Sequence, residues 1–423
     1  MTMKSSVAYR MRRSLPCLFF VMAAVSTGTT VTPAYAADGE FRPLFSISEE
    51  VNDNVFETAR NKRRDFITRV QPGFTSRYQA PLWNWDAAYT FDYRTYARNS
   101  RNDEFTHNAS LRGTVSLIDN FMFLDVADTY QRVTLDVTRT AATESSLFLN
   151  QTDQNNATVS PYVLWRLGEK GTLKTGYRYG DIRYWGNGID RYEHGAFAEL
   201  NRELFARFSV TAAYGFTRLE SVPTRYDKHD VSAGFRYEYA DRSFVFGQAG
   251  NSWQQFRNSS TNSFFFWNAG ITHDLGGAVI NLETRVQTSV DPLALTTRET
   301  VYSGRIEKTL DRGTVSFASL YTEYTDALDS GTNRHRLSLT GGGRYEILPD
   351  LNASLSVTAD RFSRRVPDDY PYHLIGSAGL SWAFNRDLSL GLSYSYAVQR
   401  KDMETARDEI GISRVILEVR KTF

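Results

Sequence analysis

Between residues 83 and 94 the chain alternates without a slip. Trp83, Trp85, Ala87, Tyr89, Phe91 and Tyr93 take one set of positions, and Asn84, Asp86, Ala88, Thr90, Asp92 and Arg94 the other. Successive side chains of a strand point to opposite faces, so this segment predicts a strand with one apolar and one charged side. Phe208, Val210, Ala212, Tyr214 and Phe216 repeat the pattern, as do Leu374, Gly376, Ala378, Leu380, Trp382 and Phe384. Leu388, Leu390, Leu392, Tyr394 and Tyr396 do so again, against Ser389, Gly391, Ser393 and Ser395. Each run lasts about ten residues, longer than a usual soluble strand and long enough for a tilted strand to cross a bilayer.

Short polar breaks punctuate these runs. They are Gln79-Ala80-Pro81, Ile118-Asp119-Asn120, Gly168-Glu169-Lys170-Gly171, Asn201-Arg202-Glu203, Ala240-Asp241-Arg242, Gly276-Gly277, Asp311-Arg312-Gly313, Pro349-Asp350 and Asn385-Arg386-Asp387. Their spacing of 34 to 50 residues holds two strands and one longer loop. The longer segments, Arg98 to Glu104, Thr138 to Gln154, Ser221 to Asp227, Arg257 to Ser263, Thr325 to Arg334, Ser363 to Tyr370 and Gln399 to Asp408, are rich in Asn, Ser, Thr and charge. Tight turns at one edge and long loops at the other predict an all-β, transmembrane, antiparallel outer-membrane β-barrel. Its short turns are periplasmic and its longer loops extracellular, with about 20 strands (18–20). A soluble solenoid would repeat at a fixed short period, and a sandwich does not need such long strands with so consistently charged a face.

The N-terminus fits export. Lys4, Arg10, Arg12 and Arg13 precede the apolar run Leu15 to Val25, and Ala34-Tyr35-Ala36 before Ala37 is a small-x-small cleavage site. Residues 1–36 are thus expected to be a cleaved signal peptide, with cleavage between Ala36 and Ala37, and residues 37–423 a single barrel domain. The run is too short for a membrane anchor, and no later apolar stretch reaches the 18 residues of a membrane helix. The 423-residue chain has one cysteine, Cys17, which excludes a disulfide scaffold and a thiolate metal cluster. With 49 Lys+Arg against 48 Asp+Glu, no nucleic-acid partner is expected. Aromatics make up 14% of the residues, which suits a lipid-facing belt better than a soluble enzyme. Trp83, Trp85, Trp165, Trp382, Phe384 and Phe423 gather near the short-turn edge, as an interfacial girdle would.

The inward positions carry the functional information. The expected pore-lining set is Arg69, Asp86, Asp92, Arg94, Lys174, Arg178, Arg236, Glu238, Glu283, Arg285, Arg336, Arg344, Glu346, Arg414, Glu418 and Arg420, with Asp360 beside them. A barrel this wide cannot be filled by its own side chains, so a wet channel is expected unless a loop folds in. Opposed charges can brace the wall, and clustered Arg can form a track for an anionic solute. The loop from Thr138 to Gln154 has an apolar tip, Ser145-Ser146-Leu147-Phe148-Leu149, that either enters the lumen or packs on another loop.

No catalytic constellation emerges, and the chain is not expected to be an enzyme. His107, His194, His229, His273, His335 and His373 lie on separate hairpins without ligand spacing, and no nucleophile elbow or phosphate loop is present. Asp230 follows His229, but adjacent strand residues face opposite ways. Asn52-Asp53-Asn54 reads as a turn rather than a cation site. No metal or cofactor is implied.

Val415, Leu417, Val419 and Phe423 share a face. A terminal Phe preceded by alternating apolar residues resembles the signal read by the barrel-assembly machinery of Gram-negative outer membranes, with Phe423, Val419 and Leu417 as its elements. Lys421 departs from that pattern, and snorkelling to the headgroups would accommodate it. Ile47-Ser48-Glu49-Glu50-Val51-Asn52-Asp53-Asn54-Val55-Phe56 and Val159-Ser160-Pro161-Tyr162-Val163 resemble segments of the β-barrel porin-2 group, similar to barrels found beside exopolysaccharide and capsule export systems. The resemblance covers residues 41–423. It implies an outer-membrane channel exporting an exopolysaccharide handed over by periplasmic export proteins, and it gives no catalytic residues. A general diffusion porin for small solutes and a closed barrel serving as adhesin or receptor are the alternatives.

Overall fold

The computed structural model describes residues 37–135, 151–222, 224–257, 261–326, 333–363, 370–401 and 409–423. Ala36 with the expected leader, and the apolar tip at 145–149, lie outside the described residues. Twenty strands follow one another: β1 (Asp38–Asn52), β2 (Asp65–Gln79), β3 (Trp83–Tyr96), β4 (Glu104–Ile118), β5 (Met122–Thr134), β6 (Gln151–Arg166), β7 (Gly171–Trp185), β8 (Arg191–Phe205), β9 (Phe208–Ser221), β10 (Arg225–Ala240), β11 (Ser243–Phe256), β12 (Thr261–Asp274), β13 (Ala278–Val290), β14 (Thr296–Leu310), β15 (Gly313–Asp326), β16 (Asn333–Leu348), β17 (Leu351–Phe362), β18 (Tyr372–Ala383), β19 (Leu388–Arg400) and β20 (Ile410–Thr422). Each pairs antiparallel with its chain neighbours, and β1 closes the cylinder on β20 from Leu44↔Thr422 to Asn52↔Arg414. This is the all-β antiparallel barrel that the alternation predicted.

Strands of 12 to 16 residues at about 3.3 Å per residue run roughly 40–50 Å. Tilted as barrel strands are, they exceed the apolar band of about 25 Å. The surplus explains several shorter loops. Ser221 and Arg225 already end strands, so the expected loop Ser221 to Asp227 reduces to 222–224. Arg218 and Asp227 face each other across β9 and β10 with paired contacts of 2.8 Å. Gln151 to Gln154 likewise belong to β6. The expected turn at Asn201-Arg202-Glu203 is displaced: those residues continue β8, and the chain reverses at Ala206-Arg207, with Arg207 at φ 71°. Their charge is tolerated because they sit at the rim, where Glu203 pairs with Lys170 of the preceding turn at 3.5 Å.

Pro43, Pro72 and Pro161 lie inside strands. Pro161 cannot donate to the carbonyl of Tyr177, and the β6–β7 pairing skips from Val159↔Tyr179 to Tyr162↔Gly176. The hydroxyl of Ser160 donates to that carbonyl instead, at 3.0 Å. Near Pro72, β2 comes so close to β3 that a Cβ on Gly73 would stand 2.4 Å from the Tyr89 carbonyl oxygen, so only glycine fits.

The convex face carries exposed Phe45, Trp165, Tyr214, Phe317, Trp382 and Leu417 among many apolar side chains. Such a continuous belt is what lipid requires of a closed sheet. On its loop side an arrangement recurs three times: the Tyr89, Tyr177 and Tyr214 hydroxyls meet Nδ1 of His107, His194 and His229 at 2.8, 2.5 and 2.9 Å. Amphipathic rings with a satisfied polar tip suit the membrane interface. Near the other rim, the Lys421 ammonium lies 4.8 Å over the ring of Phe423.

Candidate functional site

The charged residues assigned to the lumen fall on the concave side, opposite the exposed apolar belt, and they divide into two populations. In the periplasmic half they stay accessible and pair along or across strands. Arg236 meets Glu238 at 3.3 Å, Arg285 meets Glu283 at 3.1 Å, Arg420 meets Glu418 at 3.0 Å, and Arg77 meets Asp86 at 2.7 Å. Residues i and i+2 of a strand share a face, which permits the first three pairs. Arg77, Asp86 and Arg112 also line a cavity of about 470 Å³ together with Glu40 and Arg42. Arg344 and Glu346 sit on the β16 wall near its periplasmic end, and Lys174 and Arg178 on β7.

In the loop-side half the same face is packed. Asp92, 3% exposed, holds Arg69 at 2.6 Å and Arg94 at 2.7 Å. Arg336 pairs with the buried Asp360 at 3.1 Å, and Arg414 with the buried Glu50 at 3.5 Å. Around them lie Tyr96, Leu219, Tyr226, Phe256, Phe264, Tyr324 and Phe362, all buried although they point inward. Two inserted segments account for this.

The first is the connection between β1 and β2. Val55 packs on Ile67 and Tyr96, and Ala59 on Ala397, Ile410 and Ile412. Asn52-Asp53-Asn54 pins the segment down. The Asn54 side-chain amide donates to the carbonyls of Thr58 (2.8 Å) and Gly411 (3.0 Å), while the Ser413 amide donates to Asp53 Oδ1 at 2.7 Å. The motif thus acts as a turn clamped to β20.

The second is the tip of the β13–β14 hairpin. Pairing of β12 with β13 stops at Asn268↔Arg285, although both strands continue beyond it. Past that point the hairpin leaves the wall and crosses to β8–β11. Val290 packs against Leu219, Tyr226 and Phe256. The Ile189 amide donates to the Pro292 carbonyl (2.8 Å), Arg191 Nη1 to the Asp291 carbonyl (2.9 Å) and the Thr224 hydroxyl to the Ala294 carbonyl (3.3 Å). The tip holds its own shape, because Asp291 Oδ1 accepts from the amides of Leu293 (2.9 Å) and Leu295 (2.8 Å). Neither inserted segment is the loop at 138–154, whose apolar tip at 145–149 suits either the lumen or another loop and lies outside the described residues. The cue to the second was present in Asp291-Pro292-Leu293-Ala294-Leu295, a turn followed by apolar residues at a hairpin tip.

Among the described residues, no group of three His, Cys, Asp or Glu could hold a metal ion. His107, His194, His229, His273 and His335 occupy convex-face positions, and only His373 faces inward, against Phe362 at 5.0 Å between rings. Asp230 faces the lumen beside Lys228 (2.9 Å), away from His229.

No family model matches the sequence, and no curated protein does. Solved structures match the fold. The siderophore receptor PirA from Pseudomonas aeruginosa is similar at 11% identity and a TM-score of 0.51, over 93% of this chain and 81% of that one. The ferric enterobactin receptor PfeA from the same organism, as an R480A/Q482A mutant, gives 10% and 0.53, over 91% and 80%. The ferric-catecholate import receptor Fiu from E. coli K12 gives 8% and 0.51, over 94% and 82%. The architecture is therefore that of an outer-membrane β-barrel.

Proposed function

We propose that this protein is an outer-membrane channel for a polar solute in a Gram-negative bacterium, and that its solute is an exopolysaccharide leaving the cell. The observation that carries the reading is the gradient along the lumen. The periplasmic half is lined with accessible charges, whereas the extracellular half is filled by the β1–β2 segment and the β13–β14 tip. A vestibule open to the periplasm collects a solute from that side, which favours export over uptake. On this reading the sixteen lumen charges form a hydrated wall, with Arg69, Asp92, Arg94, Arg336 and Arg414 fixing the packed rim and the others meeting the solute. Periplasmic export proteins would deliver the polymer. Cleavage between Ala36 and Ala37 would release the chain for insertion, and Phe423, Val419 and Leu417 would present it to the assembly machinery. A small-solute porin shares the wet vestibule, but the double cover at the mouth fits it less well.

The test is single-channel conductance of the purified barrel in a planar bilayer, alone and with residues 291–295 deleted. The expected result is a small current that rises on deletion and is blocked by anionic oligosaccharide added from the periplasmic side. A folded barrel that conducts in neither form would overturn the channel. A current indifferent to oligosaccharides would replace the polymer with small solutes.

A further inference from the structure

Phe123, Tyr162, Gly176 and Phe197 are direct cross-strand partners in sequence, Phe123↔Tyr162, Tyr162↔Gly176 and Gly176↔Phe197. They form one row on the concave face of β5–β8. Strands spaced about 4.8 Å apart make the row roughly 14 Å long. It climbs: Phe123 is the second residue of β5 at the periplasmic rim, whereas Phe197 is mid-way along β8. The rings of Phe123 and Tyr162 stack at 5.2 Å and 20°. Gly176 lets the row close up, because a Cβ there would stand 2.6 Å from the Phe197 ring and 2.7 Å from Tyr162 Cβ. None of the three rings is buried, so an apolar strip faces the wet part of the lumen.

Two cations flank the strip. Lys174 and Arg178 lie two residues either side of Gly176 on the same face. The Lys174 ammonium is 3.9 Å from the Tyr162 ring centre and 5.6 Å from that of Phe197, and the Arg178 guanidinium is 5.6 Å from Phe197. Glu199 stands opposite Lys174 in register, yet the ammonium turns to the rings. Arg236, Arg285 and Arg420 on the same wall each have a carboxylate, whereas Lys174 and Arg178 have no ion pair among the described residues.

Half-buried rings in a row beside cations that form no ion pair among the described residues match the two faces of an acidic sugar. The C–H face of a pyranose covers aromatic surface, and its carboxylate meets the cations in charge-assisted hydrogen bonds. We infer that the Phe123–Tyr162–Phe197 strip with Lys174 and Arg178 is an entry subsite for an acidic polysaccharide, engaged at the periplasmic rim and leading inward. This inference deepens the export reading and rests on it.

The test is calorimetric titration of the full barrel in detergent with a hexamer of galacturonic acid and, separately, with maltohexaose. Binding is thereby measured apart from conduction, so a failed channel reading leaves this result standing. The hexauronate should bind at least tenfold more tightly than maltohexaose, with affinity falling as salt rises. Lys174→Met with Arg178→Met should remove that preference while leaving maltohexaose unchanged, and Phe197→Leu should weaken both sugars at least fivefold. Arg305→Met, on the lumen side of β14 where it pairs with Glu307 and outside the charges assigned to the solute, should change neither. Equal affinity for the two hexamers would overturn the inference, as would an effect of R305M as large as that of the β7 pair. A barrel whose Lys174/Arg178 variant keeps the full preference would also overturn it.

Discussion

Replacing Arg191 by Met should undock the β13–β14 tip without unfolding it. Docking costs the chain a stretch of ladder, since Val286 to Val290 extend beyond the last β12–β13 pair. It also covers polar groups. Ser252 Oγ, both amide atoms of Gln254, Asn268 Oδ1 and Thr296 Oγ1 are buried without a hydrogen-bond partner among the described residues. Each such group costs about 1–3 kcal/mol. Against this stand the packing of Val290 on three side chains and three hydrogen bonds into the tip. Arg191, 7% exposed, supplies the one charged donor. Hydrogen bonds to charged groups contribute about 1.5–3 kcal/mol, and Met retains the apolar stem. Loss of the guanidinium should thus raise the undocked population about tenfold to a hundredfold. Hydrogen exchange on the barrel in nanodiscs reads this directly. The Ile189 amide, which bonds across to Pro292, should lose protection by that factor, while the Leu293 and Leu295 amides, bonded to Asp291 within the tip, keep theirs. Unchanged exchange at Ile189 would refute the reasoning, and parallel loss at all three would show that the tip unfolds rather than swings away.

Two further substitutions separate kinds of polar contact. Asp92→Asn removes the buried carboxylate that Arg69 and Arg94 share and should cost about 3–5 kcal/mol, whereas Asp86→Asn, at an exposed pair with Arg77, should leave the urea midpoint of the lipid-embedded barrel unchanged. Ser160→Ala strips the Tyr177 carbonyl of the donor that stands in for Pro161 and should destabilise by about 1–3 kcal/mol in the same unfolding assay, with no effect on maltohexaose binding.

The wall was legible because every part of it is local. The alternation Trp83 to Arg94 states which side faces lipid, and polar breaks such as Gly276-Gly277 mark where the chain reverses. The strand count and the face of each lumen charge follow from a period of two. The one displaced turn, at 201–203, marks the limit of that logic: charge ends a strand only if the strand lies in lipid, and at the rim it does not. What fills the mouth is a different kind of information. Val290 alternates correctly with Val286 and Thr288, so β13 reads as an ordinary wall strand whether it pairs with β12 or tucks behind it. The choice is made by Leu219 and Arg191, the latter 100 residues from Asp291, and no local pattern registers a partner that far away. Lys174 and Arg178 show the same divide within the candidate subsite. Their inward direction is written in β7, but that the Lys174 ammonium turns from Glu199 to the rings of Tyr162 and Phe197 depends on what β6 and β8 bring beside it. In a barrel each strand specifies its own two faces, whereas the chemistry of the lumen arises across strands.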